Sequence, residues 1–429
     1  MSFNHFRRLR LFSTGPRNPP VAFNARLASS IVGTAVIGTL GYFYVKDSRA
    51  LIYPWIVMPA MHLLDPEDSH NLSIWFAKYG ISPKDTTIDS PNLSVKLWNK
   101  TISNPIGLAA GYDKHGEAMD ALFDFGFGLV ELGSVTPQPQ KGNPKPRFFR
   151  LPSDNAVINR YGFNSDGHTI VLNRLKNRLR RWLATHTLSK SIEEQKDLPN
   201  SLKKGKLLGI NLGKNKLSPA DSHQDYIDGI QKLGSLADYI VINISSPNTP
   251  GLRALQRREP IEQLLSLAKT ARDQHLTHNP PLLVKISPDC SEQELEDIAY
   301  VVKNVGIDGI IISNTTISRP STLQSDPSVI RQMGGLSGKP VRDLAIESVR
   351  KFYKLTNGEV PIIGCGGISS GEDALAFAKA GASVVQLYTS LGYAGPGLIP
   401  EIKESLSNLL QKEGLTWAES IGLDHRNKK

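Results

Sequence analysis

Eight short apolar runs recur in the chain, at 105–109, 128–132, 207–211, 238–243, 282–286, 309–313, 361–364 and 383–387. They are bounded by Gly, Pro, Asn or Asp and are rich in Val, Ile and Leu, the mark of strands buried on both faces. Segments with helical periodicity, such as 291–302, 341–353 and 371–379, separate most of them. Eight strands alternating with helices predict an α/β fold, and a parallel sheet closed into a (β/α)8 TIM barrel suits the count better than an open sheet. A chain of 429 residues with 40% hydrophobic content has room for one such barrel plus appendages. No internal repeat is present beyond the strand–helix alternation.

Chemistry in such a barrel belongs at the C-terminal ends of the strands. Those ends read Ala109-Ala110-Gly111-Tyr112-Asp113-Lys114, Gly133-Ser134, Asn211-Leu212-Gly213, Asn243-Ile244-Ser245-Ser246-Pro247-Asn248, Lys285, Ser313-Asn314-Thr315-Thr316, Gly364-Cys365-Gly366-Gly367 and Tyr388-Thr389. Small, amide, hydroxyl and lysine residues dominate, and no His/Cys/Asp cluster has metal-ligand spacing, so no metal is expected. Bare glycines after the seventh strand and hydroxyls after the eighth suit a phosphate held by backbone N–H groups, hence a phosphate-bearing cofactor.

Two stretches carry more specific chemistry. Asn243 and Asn248 each offer a donor and an acceptor to a flat ligand, and Ser246 between them can take a proton if something drains it. Taken alone, the hexapeptide is equally a Pro-containing turn; its agreement with the other strand ends favours a site. Lys285 alternates with Leu283, which points its ammonium into the barrel mouth. There it needs an anionic partner, a role that the N1–C2=O edge of a reduced flavin would fill; a lysine snorkelling to the rim is the alternative. Lys114 lies in the first strand-to-helix loop, placed either to bridge cofactor and a carboxylate substrate or simply to be solvated.

The motifs Ala109–Gly116, Glu131-Leu-Gly-Ser-Val-Thr-Pro137, Asn159-Arg-Tyr-Gly-Phe-Asn164, Asn243–Asn248 and Gly334-Gly-Leu-Ser-Gly338 together resemble the class 2, membrane-associated dihydroorotate dehydrogenases, over a stretch from about Ser48 to about Leu410. The resemblance implies FMN across the barrel mouth, oxidation of dihydroorotate to orotate in pyrimidine biosynthesis, and ubiquinone as the electron acceptor. Ser246 would be the base, at the position where class 1 relatives carry cysteine. Cofactor contacts carried over are Ala109, Ala110, Gly111, Ser134, Asn159, Asn211, Asn243, Lys285, Ser313, Gly338, Gly367, Tyr388 and Thr389. Substrate contacts are Lys114, Asn159, Arg160, Tyr161, Gly162, Phe163, Asn243, Asn248, Asn314 and Thr315, and His70, Arg150 and Tyr388 would be the polar residues of a quinone tunnel. Two departures are visible. Ser313 stands where threonine is expected in many relatives, keeping the hydroxyl, and the polar stretch 184–206 reads as a longer surface connection.

The front of the chain bears on location. Residues 1–49 hold seven Lys/Arg and one Asp, which supplies +6 of the net +10. Residues 1–27 therefore read as a mitochondrial presequence and not a nucleic-acid arm, since no basic-aromatic surface follows. Residues 28–45 are uncharged and read as a single transmembrane helix, which predicts a single-pass protein of the mitochondrial inner membrane; a secretory signal core is the alternative. Residues 46–82 hold two apolar helical candidates, the second opened by Asp65-Pro66 with Leu72, Trp75, Phe76 and Tyr79 on one face. That hairpin is either ordinary core or a membrane-interface element forming the quinone tunnel. The barrel takes 83–429. Cys290 and Cys365 suggest no disulfide framework, and Cys365 is assigned to packing. The rival enzyme class is another FMN-dependent barrel oxidoreductase acting on a small carboxylate, such as a 2-hydroxy-acid oxidase. Such an enzyme places a histidine at the mouth, and no strand end here carries one.

Overall fold

The computed structural model describes residues 25–186, 198–219, 221–249 and 251–426. The chain divides into two units, Met1–Tyr44 and Val45–Lys429. The expected presequence lies almost wholly outside the described residues, as does much of the 184–206 connection. A 22-residue helix α1, Ala25–Lys46, covers the expected span 28–45. No helix among the described residues is long and apolar enough to cross a membrane, so the structure gives a helix at the expected place without showing a span. Ser29, Ser30, Gly33, Thr34, Gly38, Thr39 and Gly41 dilute its apolar content.

The larger unit is built on a closed barrel of eight parallel strands. In chain order they are β1 (Ile106–Leu108), β2 (Leu129–Val135), β3 (Leu207–Leu212), β4 (Tyr239–Asn243), β5 (Leu282–Ile286), β6 (Gly309–Ile312), β7 (Ile362–Cys365) and β8 (Val384–Leu387). Each pairs with the next, and β8 closes on β1 with Val385 opposite Ile106. Every residue of β2, β3, β4 and β5 is buried, as strands covered on both faces must be. Removing one such Leu or Ile side chain would cost roughly 2–5 kcal/mol.

The strands fall within one or two residues of the sequence reading except β2, which runs three residues past Leu132 with a register shift between Leu132 and Val135. Gly133 makes this possible, at φ +109° and so close to β3 that a Cβ would lie 2.4 Å from the Asn211 carbonyl oxygen. The extension carries Ser134 to the barrel mouth. At the opposite end, an antiparallel hairpin, Val95–Leu97 with Lys100–Ile102, closes the floor. Its Trp98 donates to the Asp308 carbonyl at 2.8 Å and packs 5.5 Å from the Tyr239 ring.

Two additions frame the mouth. One is a three-stranded antiparallel sheet of Phe148–Leu151, Ala156–Asn159 and Gly335–Gly338, with its own small core of Leu151, Ala156, Ile158, Leu336 and Val341. The other is the expected hairpin. A π-helical turn, Tyr53–Val57, runs into α2 (Met58–Leu63), and α3 (Pro66–Lys78) starts at Asp65, whose carboxylate accepts from the N–H groups of Glu67 and Asp68. Leu51, Trp55, Ile56, Leu63, Trp75 and Tyr79 are exposed, so a large part of the apolar stripe faces outward.

Candidate active site

A cavity of about 690 Å³ begins at the C-terminal ends of the barrel strands and continues without interruption to the hairpin, where Tyr53, Val57, Met58, Met61, Phe76 and Ile81 line it. Its barrel end is polar and its hairpin end apolar.

The polar end rests on a buried cluster within the barrel. Glu131 of β2 is fully buried and accepts Asn211 Nδ2 at 2.8 Å, Gln386 Nε2 at 2.8 Å and Tyr239 OH at 3.3 Å. Lys285 Nζ stands 4.0 Å from the same carboxylate. The lysine does point inward as expected, yet its anionic partner is already protein; Glu131 was not singled out from the sequence as that partner. Burial and the neighbouring Glu131 charge push the Tyr239 hydroxyl well above its ordinary pKa, which keeps it a donor.

Above this cluster the amides interlock. Ser134 Oγ donates to Asn211 Oδ1, and Asn243 Nδ2 donates to Ser134 Oγ at 2.9 Å and Asn211 Oδ1 at 3.1 Å. Asn243 Oδ1 accepts from Ser245 Oγ at 2.8 Å, and Ser245 Oγ in turn accepts from Asn314 Nδ2 at 2.8 Å. Ser246 Oγ accepts the Asn248 N–H at 3.3 Å, and Asn248 Nδ2 reaches the Asn159 carbonyl at 3.2 Å. Thr389 Oγ1 donates to Ser337 Oγ at 2.9 Å, one residue before Gly338. Ala109, Ala110, Gly111, Ser313, Thr315, Gly338 and Gly367 all line the same cavity. Cys365 lines it too, so packing is not its whole environment; burial pushes its thiol up, leaving it a poor nucleophile.

The rim between barrel and hairpin is aromatic and charged. Lys114 Nζ lies 4.3 Å from the centre of the Tyr161 ring and 3.2 Å from His70 Nε2. Burial pushes Lys114 down to about 7, with Glu67 opposing the shift and Arg147 adding to it. Burial, then the Lys114 charge, holds His70 well below the usual imidazole range, so it accepts from the lysine. His70 Nδ1 is 3.4 Å from Tyr388 OH. Beneath Tyr161, Arg147 stacks at 5.0 Å and forms a bidentate pair with Glu67 of α3, Nη2 to Oε1 at 2.8 Å and Nε to Oε2 at 3.1 Å. The sequence reading missed this pair, whose members are 80 positions apart.

Most of the expected residues thus converge, with two corrections. Arg160 does not line the cavity; its guanidinium binds the Pro146 and Met333 carbonyls and Gln332 and covers the Phe149 ring. Asn211 also stays off the wall and acts through Ser134 and Asn243. Arg150 does line the cavity, but it donates to the carbonyls of Met61, His62 and Leu64, capping the end of α2.

The wall is matched to a planar ligand with both donors and acceptors. Tyr161, Asn164 and Gln386 are among its lining residues, and their OH, Oδ1 and Oε1 atoms are buried without a protein partner. Amide, hydroxyl and ammonium groups surround them, with glycines at the ends of the sheet and of β7 where a phosphate needs close backbone approach. This donor set fits a flavin mononucleotide.

Comparison with known proteins gives the same direction. A family profile described as Dihydroorotate dehydrogenase matches residues 92–410. The chain is 49% identical to the protein of Eremothecium gossypii named dihydroorotate dehydrogenase (quinone), mitochondrial, over 98% of this chain and 97% of that one. It is 50% identical to the Mus musculus protein of the same name, over 87% and 91%. A solved structure of DHODH from Eimeria tenella in complex with ferulenol superposes with a TM-score of 0.78 at 41% identity, covering 84% of this chain and 96% of that one.

Proposed function

The chain belongs to the dihydroorotate dehydrogenase family, and from that premise we infer which of its residues carry the reaction. It oxidises dihydroorotate to orotate in pyrimidine synthesis and passes the electrons to a quinone.

Our reading of the cofactor is FMN, held by Ser134, Asn243, Lys285, Ser313 and Tyr388 and, at its phosphate, by backbone around Gly338, Gly367 and Thr389. Bound there, FMN would supply hydride acceptance from the substrate and delivery of electrons to the quinone. Ser246 Oγ takes the substrate proton as its own hydroxyl proton passes to solvent in the cavity; the Asn248 N–H aimed at that oxygen at 3.3 Å favours the negative charge it carries while short of a proton. Asn243, Asn248, Asn314 and Thr315 orient the ring, and Lys114 binds the substrate carboxylate in a pocket that Tyr161 and Phe163 dry. Ubiquinone is the acceptor we assign, entering between α2 and α3. The exposed apolar stripe of the hairpin then rests on lipid, which we take to be the mitochondrial inner membrane.

The observation that carries this reading is the single cavity, apolar at the hairpin and polar at the barrel mouth. It is tested on the purified protein by its visible spectrum. A flavin band should bleach with dihydroorotate and return with a short-chain quinone. A chain lacking residues 1–80 should still bleach, and recover with a soluble dye but only slowly with quinone. Equal recovery by quinone with and without the hairpin would sink the tunnel; the absence of any flavin band would sink the whole assignment.

A further inference from the structure

We propose that Glu131 is the positioning residue of the cofactor seat, its carboxylate fixing the donor–acceptor direction of Asn211 and Gln386 and, through Asn211, the acceptor that Ser134 and Asn243 meet at the barrel mouth. The inference rests on the FMN reading given above.

Five strands send a polar side chain to one point inside the barrel: Glu131 from β2, Asn211 from β3, Tyr239 from β4, Lys285 from β5 and Gln386 from β8. Donors from four of these strands face two carboxylate oxygens, which leaves no acceptor for a carboxyl proton. Glu131 therefore accepts and does not donate. Asn211 must turn its Nδ2 toward it, at 2.8 Å, and its Oδ1 away. That oxygen then receives Ser134 Oγ and Asn243 Nδ2. Asn243 Oδ1 is held separately by the Ser245 N–H at 3.2 Å and the Ser245 hydroxyl at 2.8 Å, and Asn314 Oδ1 by the Thr315 N–H at 2.8 Å, which leaves Asn314 Nδ2 for Ser245 Oγ at 2.8 Å. Glu131 thus sets Asn211, and the acceptor that Asn211 turns outward is the one Ser134 and Asn243 meet.

Gln386 is oriented in the same way. Its Nε2 is committed to Glu131 at 2.8 Å, which leaves Oε1 buried without a protein partner. The space for the cluster is itself built in: a Cβ on Gly209 would lie 2.2 Å from Tyr239 Cζ, so only glycine admits the tyrosine ring beside the carboxylate.

Glu131→Gln tests this, because the amide has nearly the same volume and can donate. The expected result is cooperative melting close to wild type, shifted flavin absorption bands and an FMN affinity about tenfold or more weaker, the scale of a lost hydrogen bond to a charged group. The double variant Glu131→Gln/Asn211→Asp keeps the buried charge and restores an acceptor toward Ser134 and Asn243, so it should regain most of the affinity and the native spectrum. If Glu131→Gln does not fold, the double variant decides: folding with flavin bound supports the proposal, and failure overturns it. Wild-type affinity and spectrum in Glu131→Gln, or a double variant no better than the single, also overturn it. Wild-type protein that takes up no FMN would instead remove the cofactor reading.

Discussion

Orotate binding should weaken as pH rises through neutrality, because the cation assigned to its carboxylate is held near the edge of deprotonation. Lys114 is buried, with Arg147 across the Tyr161 ring, and titrates at about 7. If only the ammonium form binds the carboxylate, the apparent Kd scales as the inverse of the charged fraction and should rise about tenfold between pH 6 and pH 8. Flavin difference spectra during orotate titration give Kd at each pH. Lys114→Arg, which stays charged, should bind with little pH dependence over that range, and Lys114→Met should bind weakly at every pH. The ligand-free protein carries the same linkage in its stability. The folded-state pKa lies below that of the unfolded chain, so between about 7 and 10 the native state holds fewer protons and stability rises with pH. Below about 7 the charged amine is buried at a cost on the order of a few kcal/mol, so Lys114→Met should melt higher than wild type at pH 6 and lose that advantage in alkali. An orotate Kd that is flat from pH 6 to 8 in the wild type would refute the assignment of Lys114 as the titrating carboxylate partner.

Two further substitutions separate the roles at the mouth. Ser246→Ala should keep its flavin yet lose roughly two or more decades in the stopped-flow rate of flavin reduction by dihydroorotate, the scale of a lost general base; a near-wild-type rate removes the serine from the mechanism. Lys285→Ala should bind flavin poorly or reduce it slowly, while Asn314→Ala should purify with full flavin and a raised KM, and the reverse outcome would exchange the two assignments.

The barrel was legible because strands covered on both faces must be continuous apolar runs, and glycine, proline and asparagine mark where each one stops. The three-stranded sheet at the rim was not, since its strands are four residues each and one comes from 335–338, far along the chain from its partners. The strand-end residues were found because position alone selects them. Glu131 was passed over as a motif letter, although a sequence signal existed: it, Lys285 and Gln386 interrupt the apolar stretches Leu129–Leu132, Leu282–Ile286 and Val384–Leu387, and such groups inside a barrel must meet one another. Arg160 misled for the opposite reason. A motif fixes which residues are adjacent in sequence, not which way each one turns, and beside Tyr161 the arginine turns outward to loop carbonyls.

The Glu67–Arg147 pair decides what an engineer can exchange. Transplanting a hairpin from another quinone-reducing protein onto this barrel would look like a matter of matching apolar surface, yet Glu67 travels with the graft and Arg147 stays behind. A donor hairpin with an apolar residue at that position would strand a guanidinium that is only 10% exposed, at a cost of about 3–5 kcal/mol. The same arginine supports the ring that covers Lys114, so a mismatched hairpin would be felt first in orotate affinity, before any quinone assay was run.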